Sequence, residues 1–207
     1  MILRTLIVFM MGLVLPLNLR AQSVNDVFMA LPDSVLPYLQ QSQRKDLIAL
    51  KMIEPSATAK ITNMFKHEAE LKAMEEDYLL FSIKEVQLEM LRLPVEGSDS
   101  VYCMLLTTQV PQKETICRIY DADGRFLYDI PFAADSLICH PESMKQSEYE
   151  ELVKLIDFPI IEASVNKDAP FSLNVKLNVS SLSKEDAQRV KSVLLQKNVK
   201  WTGKTFN

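Results

Sequence analysis

The sequence predicts an α+β fold in which short N-terminal helices precede a mostly antiparallel β-meander, and a C-terminal helix–strand–helix–strand portion covers one side of the sheet. Apolar residues follow helical spacing before residue 54 and an alternating, period-two pattern over most of residues 57–130. From residue 147 onwards the two patterns take turns along the chain. A run of helices followed by a run of strands is typical of the α+β class.

The N-terminal part predicts two or three short helices between residues 23 and 53. Ser23 and Asp26 have the spacing of a capped helix start, and Pro32 ends that helix. Ser34 is expected to cap a second short helix with Pro37 in its first turn, where the backbone needs no N–H donor. The next helix carries its apolar residues on one side.

The central part predicts a meander of strands. The alternation between residues 78 and 95 changes phase at Lys84 and Glu85, and we expect a bent strand there because these residues are unfavourable in a tight hairpin. Residues 101–106 are apolar on both faces, which predicts a central strand. Residues 115–120 and 125–130 are expected to form a hairpin around Asp-Ala-Asp-Gly.

The C-terminal part predicts two helices and two strands. Ser147 and Glu150 have the spacing of a capping box, and Ser183 is expected to cap the last helix. Residues 171–179 alternate cleanly, with a polar stripe that we interpret as a solvent-facing side of the strand. A final strand is expected around Val199 and Trp201.

The first 21 residues have the order of regions found in a secretory signal peptide. Arg4 is the positive residue, residues 6–17 form an apolar run, and Ala21 is a small residue suited to cleavage. The alternatives are a buried N-terminal helix or a membrane anchor. We therefore expect a periplasmic or secreted protein whose mature part, residues 22–207, is a single α+β domain. A division into lobes 22–135 and 140–207 is the alternative.

The charge of the predicted mature chain argues against two classes of partner. Cleavage at residue 21 leaves 21 Lys and Arg against 27 Asp and Glu, a net charge of −6. Nucleic acids and anionic membrane surfaces attract basic proteins, so neither is expected as the main partner. No second apolar stretch in the sequence approaches transmembrane length.

Three cysteines follow the predicted signal peptide: Cys103, Cys117 and Cys139. Their apolar surroundings predict small buried hydrophobic side chains. A bridge between Cys103 and Cys117 is possible, but a turn at residues 111–113 would place Cys117 nearer to Thr107 than to Cys103, which disfavours a direct cross-strand pair. Their redox state is left open.

The motifs do not predict a catalytic, cofactor-binding or metal-binding site. Residues 121–124 resemble the start of a calcium loop, but Asp-Gly between two alternating runs is typical of a plain hairpin turn. His67 lacks the second histidine of a zinc-protease helix, and His140 adjoins Cys139 in a segment where neighbours point to opposite faces. Acidic runs at 75–77, 148–151 and 185–186 leave a glycosidase pair open without indicating one.

Several segments resemble one family of proteins. They are MALPDSVLPYL (29–39), the pair Arg44 and Asp46, EDYL (76–79) and Leu-Pro at 93–94. These segments resemble an uncharacterised domain-of-unknown-function family of exported proteins from gut-type anaerobic Gram-negative bacteria, of Bacteroidales type. The resemblance is clearest over the first half of the mature chain. It implies an exported α+β domain and no activity, with Arg44 and Asp46 as a structural ion pair or helix cap.

Three hypotheses of function follow. The leading one is a non-enzymatic periplasmic domain that binds another protein or supports an envelope assembly, with Tyr38 as an exposed group to test. The alternatives are a hydrolase acting on glycan or peptide and a small-ligand carrier in a cupped sheet. Convergent acids in a concave pocket would favour the hydrolase, and a broad exposed apolar patch would favour the binding domain.

Overall fold

The computed structural model describes residues 22–97, 100–109 and 111–207. The predicted signal peptide lies outside these ranges, as do Ser98, Asp99 and Val110. Within the described ranges, no helix combines the length and the apolar character that crossing a bilayer requires.

The described residues form four α-helices and ten β-strands. Two helices come first, α1 (Val24–Ala30) and α2 (Gln41–Ile53). The meander consists of β1 (Ala59–Thr62), β2 (Glu68–Met74), β3 (Tyr78–Ile83), β4 (Val86–Leu93), β5 (Val101–Thr108), β6 (Glu114–Tyr120) and β7 (Phe126–Asp129). A 3₁₀ turn (Ala134–Leu137) leads to α3 (Gln146–Lys154), β8 (Ile160–Val165), β9 (Ser172–Asn178), α4 (Lys184–Val190) and β10 (Gln196–Lys200).

Two antiparallel sheets organise the fold. The first has seven strands in the order of the chain, β1 to β7, and the second has three strands in the order β10-β9-β8. The predicted α+β class with an antiparallel meander is confirmed. The expected central position of residues 101–106 is also confirmed, because β5 pairs with β4 on one side and with β6 on the other.

Both faces of the seven-stranded sheet are covered over much of its area. Alternate residues of the central strands, such as Met90 and Met104, pack with α1 and α2. The intervening residues, such as Leu91 and Leu105, pack with the three-stranded sheet and Trp201. The C-terminal portion therefore covers one side as predicted, and the N-terminal helices cover the other, which explains why β5 is apolar on both faces.

The N-terminal segment differs from the prediction between its two helices. Ser23 and Asp26 form the expected capping box. Residues 33–39, for which a short helix beginning at Ser34 was expected, form consecutive turns. Arg44, only 1% exposed, explains this conformation because its guanidinium donates to the carbonyl oxygens of Leu31 and Leu39. Because Arg44 of α2 supplies hydrogen bonds to these carbonyl groups, they need no donors from a helix of their own.

Three further expectations for the strands and helices were wrong. Lys84 and Glu85 form a two-residue hairpin, because Lys84 adopts the left-handed conformation that such a turn requires. Strands β2 and β8 were not predicted. Ser147 lies inside α3, which begins one residue earlier, after Lys145, so it forms no capping box there. Ser183, by contrast, caps α4 as expected.

The pairing of β5 with β6 corrects the expected position of Cys117. This residue lies opposite Leu105, two positions from both Cys103 and Thr107, so it is not nearer to Thr107 as expected, and Cys103 lies opposite Ile119. Cys103 and Cys117 are therefore diagonal neighbours on one face of the sheet. Both are buried free thiols, as their apolar surroundings predicted, whereas the same prediction was wrong for Cys139, which is a partly exposed free thiol.

Candidate docking surface

Three hairpin turns lie at the same end of the seven-stranded sheet. They connect β1 to β2, β3 to β4 and β5 to β6, and antiparallel pairing brings them side by side. Residues 35–39 run along the helix-covered face beside these turns, where they contact Ile83, Val86 and Leu106. This end of the sheet therefore combines parts of the chain that are distant in sequence.

Asn63 fixes residues 35–39 to the first of these turns. Its side-chain amide donates to the carbonyl oxygen of Tyr38 over 2.9 Å. Its side-chain oxygen accepts hydrogen bonds of 2.9 Å from the backbone N–H groups of Phe65 and His67. Because the Asn63 side chain is buried and bonds to both segments, it holds Tyr38 and the turn in one arrangement.

An aromatic cluster forms where these two segments meet. The ring of Tyr38 lies 6.0 Å from the ring of Phe65 and 6.2 Å from that of His67, both in edge-to-face orientation. Tyr38 and Phe65 are nevertheless 47% and 53% exposed. Tyr38 is therefore exposed, and its ring is held in place by neighbours, which lowers the entropic cost of using it in an interface.

An apolar pocket opens next to the cluster. Its volume is about 170 Å³, and its lining is almost entirely hydrocarbon, from Val35, Pro37, Tyr38, Ile83, Val86 and Leu106. Ile116 lies directly opposite Leu106 on the neighbouring strand and is itself exposed. The apolar surface thus continues from the pocket onto β6, at a place where the N-terminal helices no longer cover the sheet.

A wider polar groove of about 600 Å³ lies at the same end of the sheet but on the face turned away from the N-terminal helices, because Glu70, Ser82 and Gln87, which line it, are cross-strand partners on that face. Val86 lines both the groove and the apolar pocket, and His67 connects the groove with the aromatic cluster. Lys66 and Lys84, at the tips of two hairpins, also line the groove. Both lysines adopt left-handed backbone conformations, with φ of 62° and 53°, which are uncommon outside glycine.

The charges in the groove are unequally neutralised. Glu70 pairs with Lys60 over 2.6 Å and with Lys72 over 3.4 Å, and the hydrogen bond to Lys60 lowers the pKa of Glu70. Lys66 and Lys84 form no ion pair with any residue in the described parts of the chain. The groove therefore presents two free ammonium groups beside acids that are already paired. We call the set Tyr38, Phe65, Lys66, Lys84 and Ile116, with the apolar pocket, the hairpin-end surface.

The histidine and cysteine candidates are not brought together as nucleophile and base. His140 Nε2 lies 3.0 Å from the carbonyl oxygen of Met144, and its ring lies 4.6 Å from that of Tyr149. His67 belongs to the aromatic cluster. Cys103 and Cys117 are buried against each other, 3.5 Å apart at sulfur. Among the described residues, no three or more His, Cys, Asp or Glu side chains are arranged to hold a metal ion.

Four of the acidic candidates form ion pairs with arginines. Asp77 and Glu76 both pair with Arg92, and Glu151 and Asp186 both pair with Arg189. The predicted turn at residues 121–124 is a plain hairpin turn. There Asp121 Oδ1 accepts hydrogen bonds of 2.9 Å from the backbone N–H groups of Asp123 and Arg125.

The charged pair suggested by the family resemblance is only half correct. Arg44 pairs with Asp33 over 3.1 Å, whereas Asp46 is exposed on the surface of α2. The expectation that Arg44 has a structural role agrees with its burial and its hydrogen bonds to Leu31 and Leu39. The pairing partner was wrong because Asp33 approaches from the turn segment rather than from the same helix.

Comparisons with known proteins concern the family and the fold of the chain. A family model described as "Protein of unknown function (DUF3256)" matches residues 16–206. A solved domain of an uncharacterized protein from Porphyromonas gingivalis W83 superimposes with a TM-score of 0.68 at 18% identity, covering 87% of this chain and 96% of that one. At this identity the likeness concerns the fold alone. The search of curated proteins found no match.

Proposed function

We propose that this chain, which belongs to the DUF3256 family of unknown function, is a non-enzymatic, exported domain that binds a protein partner through the hairpin-end surface. The observation that carries this proposal is the apolar pocket, which has exposed aromatic rings beside it and, at two hairpin tips of the same sheet end, two lysines without an ion pair among the described residues. Contiguous exposed apolar surface with a polar rim is typical of protein interaction sites.

The chemistry of the surface indicates the kind of segment that it binds. One aliphatic or aromatic side chain of the partner would occupy the pocket, where full burial of such a side chain contributes about 1.5–3 kcal/mol. Carboxylates that follow it would lie near Lys84 and Lys66. Exposed ion pairs add little affinity but fix orientation and reject basic partners. Tyr38 has the residue type and position of an interface hot spot.

The dimensions of the pocket favour a side chain over a small-molecule cargo. Sites for ligands of drug size enclose roughly 300–1,000 Å³, whereas this pocket holds about 170 Å³ and is open to solvent. The polar groove is large enough for a ligand, but its two acids, Glu68 and Glu70, are both paired with the ammonium group of Lys60. These observations support a binding domain over a carrier or a hydrolase.

Export is part of the proposal and is supported by the pattern of residues 1–21. We expect the protein in the periplasm or medium of a Gram-negative host, with its N-terminus at Gln22. Fractionation followed by intact-mass measurement checks this directly. Recovery of the full 207-residue chain from the cytoplasm would contradict export while leaving the docking surface to be tested separately.

The partner chemistry is tested with a random peptide library displayed on phage and selected on the purified domain, residues 22–207. We expect enriched peptides with one large apolar residue next to acidic ones. Tyr38→Ala and the pair Lys66→Glu/Lys84→Glu should abolish the enrichment. Phe158→Ala and Lys45→Glu are matched controls, because Phe158 is 84% exposed and Lys45 is exposed on α2. Equal selection by the Tyr38 variant and the wild type would refute this surface.

The physiological partner is tested by cross-linking in intact host cells that produce a C-terminally tagged chain. One envelope protein should be recovered with the wild type and with Phe158→Ala, and lost with Tyr38→Ala. Recovery of the tagged chain alone, from cells in which it is folded and exported, would count against the binding role. Turnover assays with glycans and peptides would then examine the hydrolase alternative.

A further inference from the structure

A second cavity, of about 280 Å³, lies between the two sheets, and we call it the inter-sheet cleft. Glu75, Tyr78 and Leu91 line it from the seven-stranded sheet, beside the turn that joins β2 to β3. The connection between β8 and β9, residues 166–171, lines it from the three-stranded sheet. In an antiparallel meander the turn from β2 to β3 lies at the opposite end from the turn that joins β1 to β2. The cleft is therefore separate from the hairpin-end surface.

The floor of the inter-sheet cleft is mostly apolar, and hydrogen bonds hold it in place. Tyr78 and Leu91 lie opposite each other across β3 and β4, and both side chains are buried. The Tyr78 hydroxyl donates to Glu89 over 2.9 Å, which fixes the orientation of its ring. Glu89 also accepts the Val165 N–H over 3.3 Å, so the two sheets are joined beside the cleft. An apolar group of a ligand would thus be buried against a surface that is already ordered, which lowers the entropic cost of binding.

The loop that lines the cleft contains a strained residue. Phe171 has a φ of 52°, which is rare for a bulky side chain. Its carbonyl oxygen accepts the Trp201 N–H over 2.8 Å, and the Asn166 N–H donates to the carbonyl oxygen of Ser172 over 2.9 Å. These bonds hold Phe171 in the lining of the cleft. Residues kept in such conformations by their surroundings cluster at functional sites, ligand-binding sites among them.

Two charged side chains of the lining, Glu75 and Lys167, form no ion pair with any residue in the described ranges. The third, Asp77, pairs with Arg92 over 2.5 Å. The Lys167 ammonium lies 4.7 Å from the centre of the Tyr78 ring, a cation–π contact that places the positive charge over the apolar floor. One carboxylate and one ammonium group are therefore available to bind ligand charges of opposite sign.

Asn166 adds a buried hydrogen-bond donor to the same lining. The residue is only 8% exposed, and its side-chain oxygen accepts the Asp168 N–H over 3.0 Å. The other end of the amide is then the NH₂ group, which donates no hydrogen bond to any residue that the structure describes. Because buried donors are normally paired, this group is suited to bind an oxygen atom of a ligand in the cleft.

We propose that the inter-sheet cleft binds a free apolar α-amino acid. The α-carboxylate accepts hydrogen bonds from the Lys167 ammonium and the Asn166 NH₂ group, and the α-ammonium pairs with Glu75. The apolar side chain of the ligand packs on the floor of the cleft. The volume of the cleft is just below the lower limit of about 300 Å³ for sites that take ligands of drug size, which suits a smaller molecule. A carboxylic acid without an amine would leave Glu75 unpaired beside a second negative charge.

Titration of residues 22–207 with L-leucine and with L-phenylalanine, followed by calorimetry or NMR, tests the proposal. We expect saturable binding of at least one of them at millimolar concentration or below. The N-acetyl derivative lacks the ammonium group and the amide derivative lacks the carboxylate. Each should bind about tenfold more weakly, because each loses one charged contact. No binding of either amino acid, or equal binding of the derivatives, would overturn the proposal.

Two variants at exposed positions assign the charged contacts. Lys167→Met should weaken binding of the amino acid about tenfold and leave the amide derivative unchanged, because that derivative has no carboxylate to lose a partner. Glu75→Gln should weaken the amino acid similarly and leave the N-acetyl derivative unchanged. Glu76→Gln and Lys45→Met are matched controls that should bind as the wild type does, because neither residue lines the cleft. Variants that weaken every ligand equally, or none, would overturn the assigned contacts.

Discussion

The sulfur atoms of Cys103 and Cys117 lie 3.5 Å apart across strands β5 and β6, beneath the three-stranded sheet. The two thiols share a hydrogen bond, and this bond together with burial raises the pKa of Cys103 well above that of a free cysteine. A thiol that is both protonated and inaccessible reacts slowly, because the thiolate is the nucleophile.

We therefore expect the native protein to be alkylated by iodoacetamide at Cys139 only, since Cys139 is partly exposed. Cys103 and Cys117 should become labelled only in denaturant, after the sheets separate. Mass spectrometry of peptides from timed reactions measures the three rates, and Cys139→Ser serves as the control that removes the fast reaction. Comparable labelling of all three thiols in the native protein would contradict the burial of the pair.

Removal of the Arg44 side chain should destabilise the protein strongly, although the residue is charged. Its guanidinium lies in the interior and donates to Leu31 and Leu39, and its one acidic partner, Asp33, is 60% exposed at the side chain. Replacement by Ala leaves buried carbonyl groups without donors, so we expect the free energy of unfolding to fall by about 2–4 kcal/mol.

Urea unfolding of Arg44→Ala, Arg44→Lys and Asp33→Asn separates the hydrogen bonds from the ion pair. Lysine lacks the forked geometry of the guanidinium and should restore only part of the loss. Asp33→Asn removes an exposed charge and should cost no more than about 1 kcal/mol. A larger loss for Asp33→Asn than for Arg44→Ala would show that the ion pair, rather than the carbonyl contacts, holds residues 33–39.

Gly124 should tolerate a methyl group poorly for two separable reasons. Its φ of +75° is unfavourable for other residues, and an added Cβ would lie 3.1 Å from backbone atoms of Ala30 and Leu31. Gly97 has a similar φ of +69° with nothing within 4 Å of an added Cβ, so Gly97→Ala measures the conformational cost alone. That cost is about 1–2 kcal/mol.

Thermal unfolding should show that Gly124→Ala destabilises the protein more than Gly97→Ala does. The difference between the two variants reports the close approach of the turn to the end of α1. Equal melting temperatures would mean that the backbone of Ala30 and Leu31 moves away without a cost in free energy. The contact with the turn would then not stabilise the N-terminal segment.

The sequence predicts the parts of this fold that depend on local pattern. Strand β5 was located correctly because both of its faces are apolar. Strand β2 was missed although Ala69 and Leu71 alternate with Glu68 and Glu70, because alanine contributes little to an apolar pattern. The Lys84 hairpin was missed because its left-handed conformation belongs to a residue that rarely adopts it, and pairing of β3 with β4 imposes that conformation.

The hairpin-end surface depends on tertiary packing and could not be located from local pattern. Its pocket forms where Pro37 and Tyr38 meet Val86 and Leu106, and those residues come from elements separated by long stretches of chain. The exposure of Tyr38 was anticipated, but its contact with Phe65 follows from Asn63, whose side chain bonds both segments. Nothing in the spacing of these residues reports that contact. By contrast, the apolar run of β7 is visible in the sequence, and only its edge position required the structure.

Glu89 links the two sheets, and its titration should make the stability depend on pH. The carboxylate accepts hydrogen bonds from the Tyr78 hydroxyl over 2.9 Å, from the Val165 N–H over 3.3 Å and from the Gln87 side chain over 3.3 Å. Burial outweighs these bonds and raises the pKa of Glu89. A carboxyl group with a raised pKa in the folded state stabilises the protein fully below its unfolded pKa, about 4.3, and loses that contribution as pH rises through the folded value.

The free energy of unfolding, measured with urea at intervals between pH 4 and pH 8 for the wild type and Glu89→Gln, tests this sign. The wild type should lose stability relative to the variant as pH rises above about 4.3, by at most about 1.4 kcal/mol per pH unit. Tyr78→Phe removes a hydrogen bond that lowers the pKa of Glu89, so it should extend the loss to higher pH. If the wild type instead gains stability over Glu89→Gln with rising pH, the three hydrogen bonds outweigh burial and the ionised form is the favoured one.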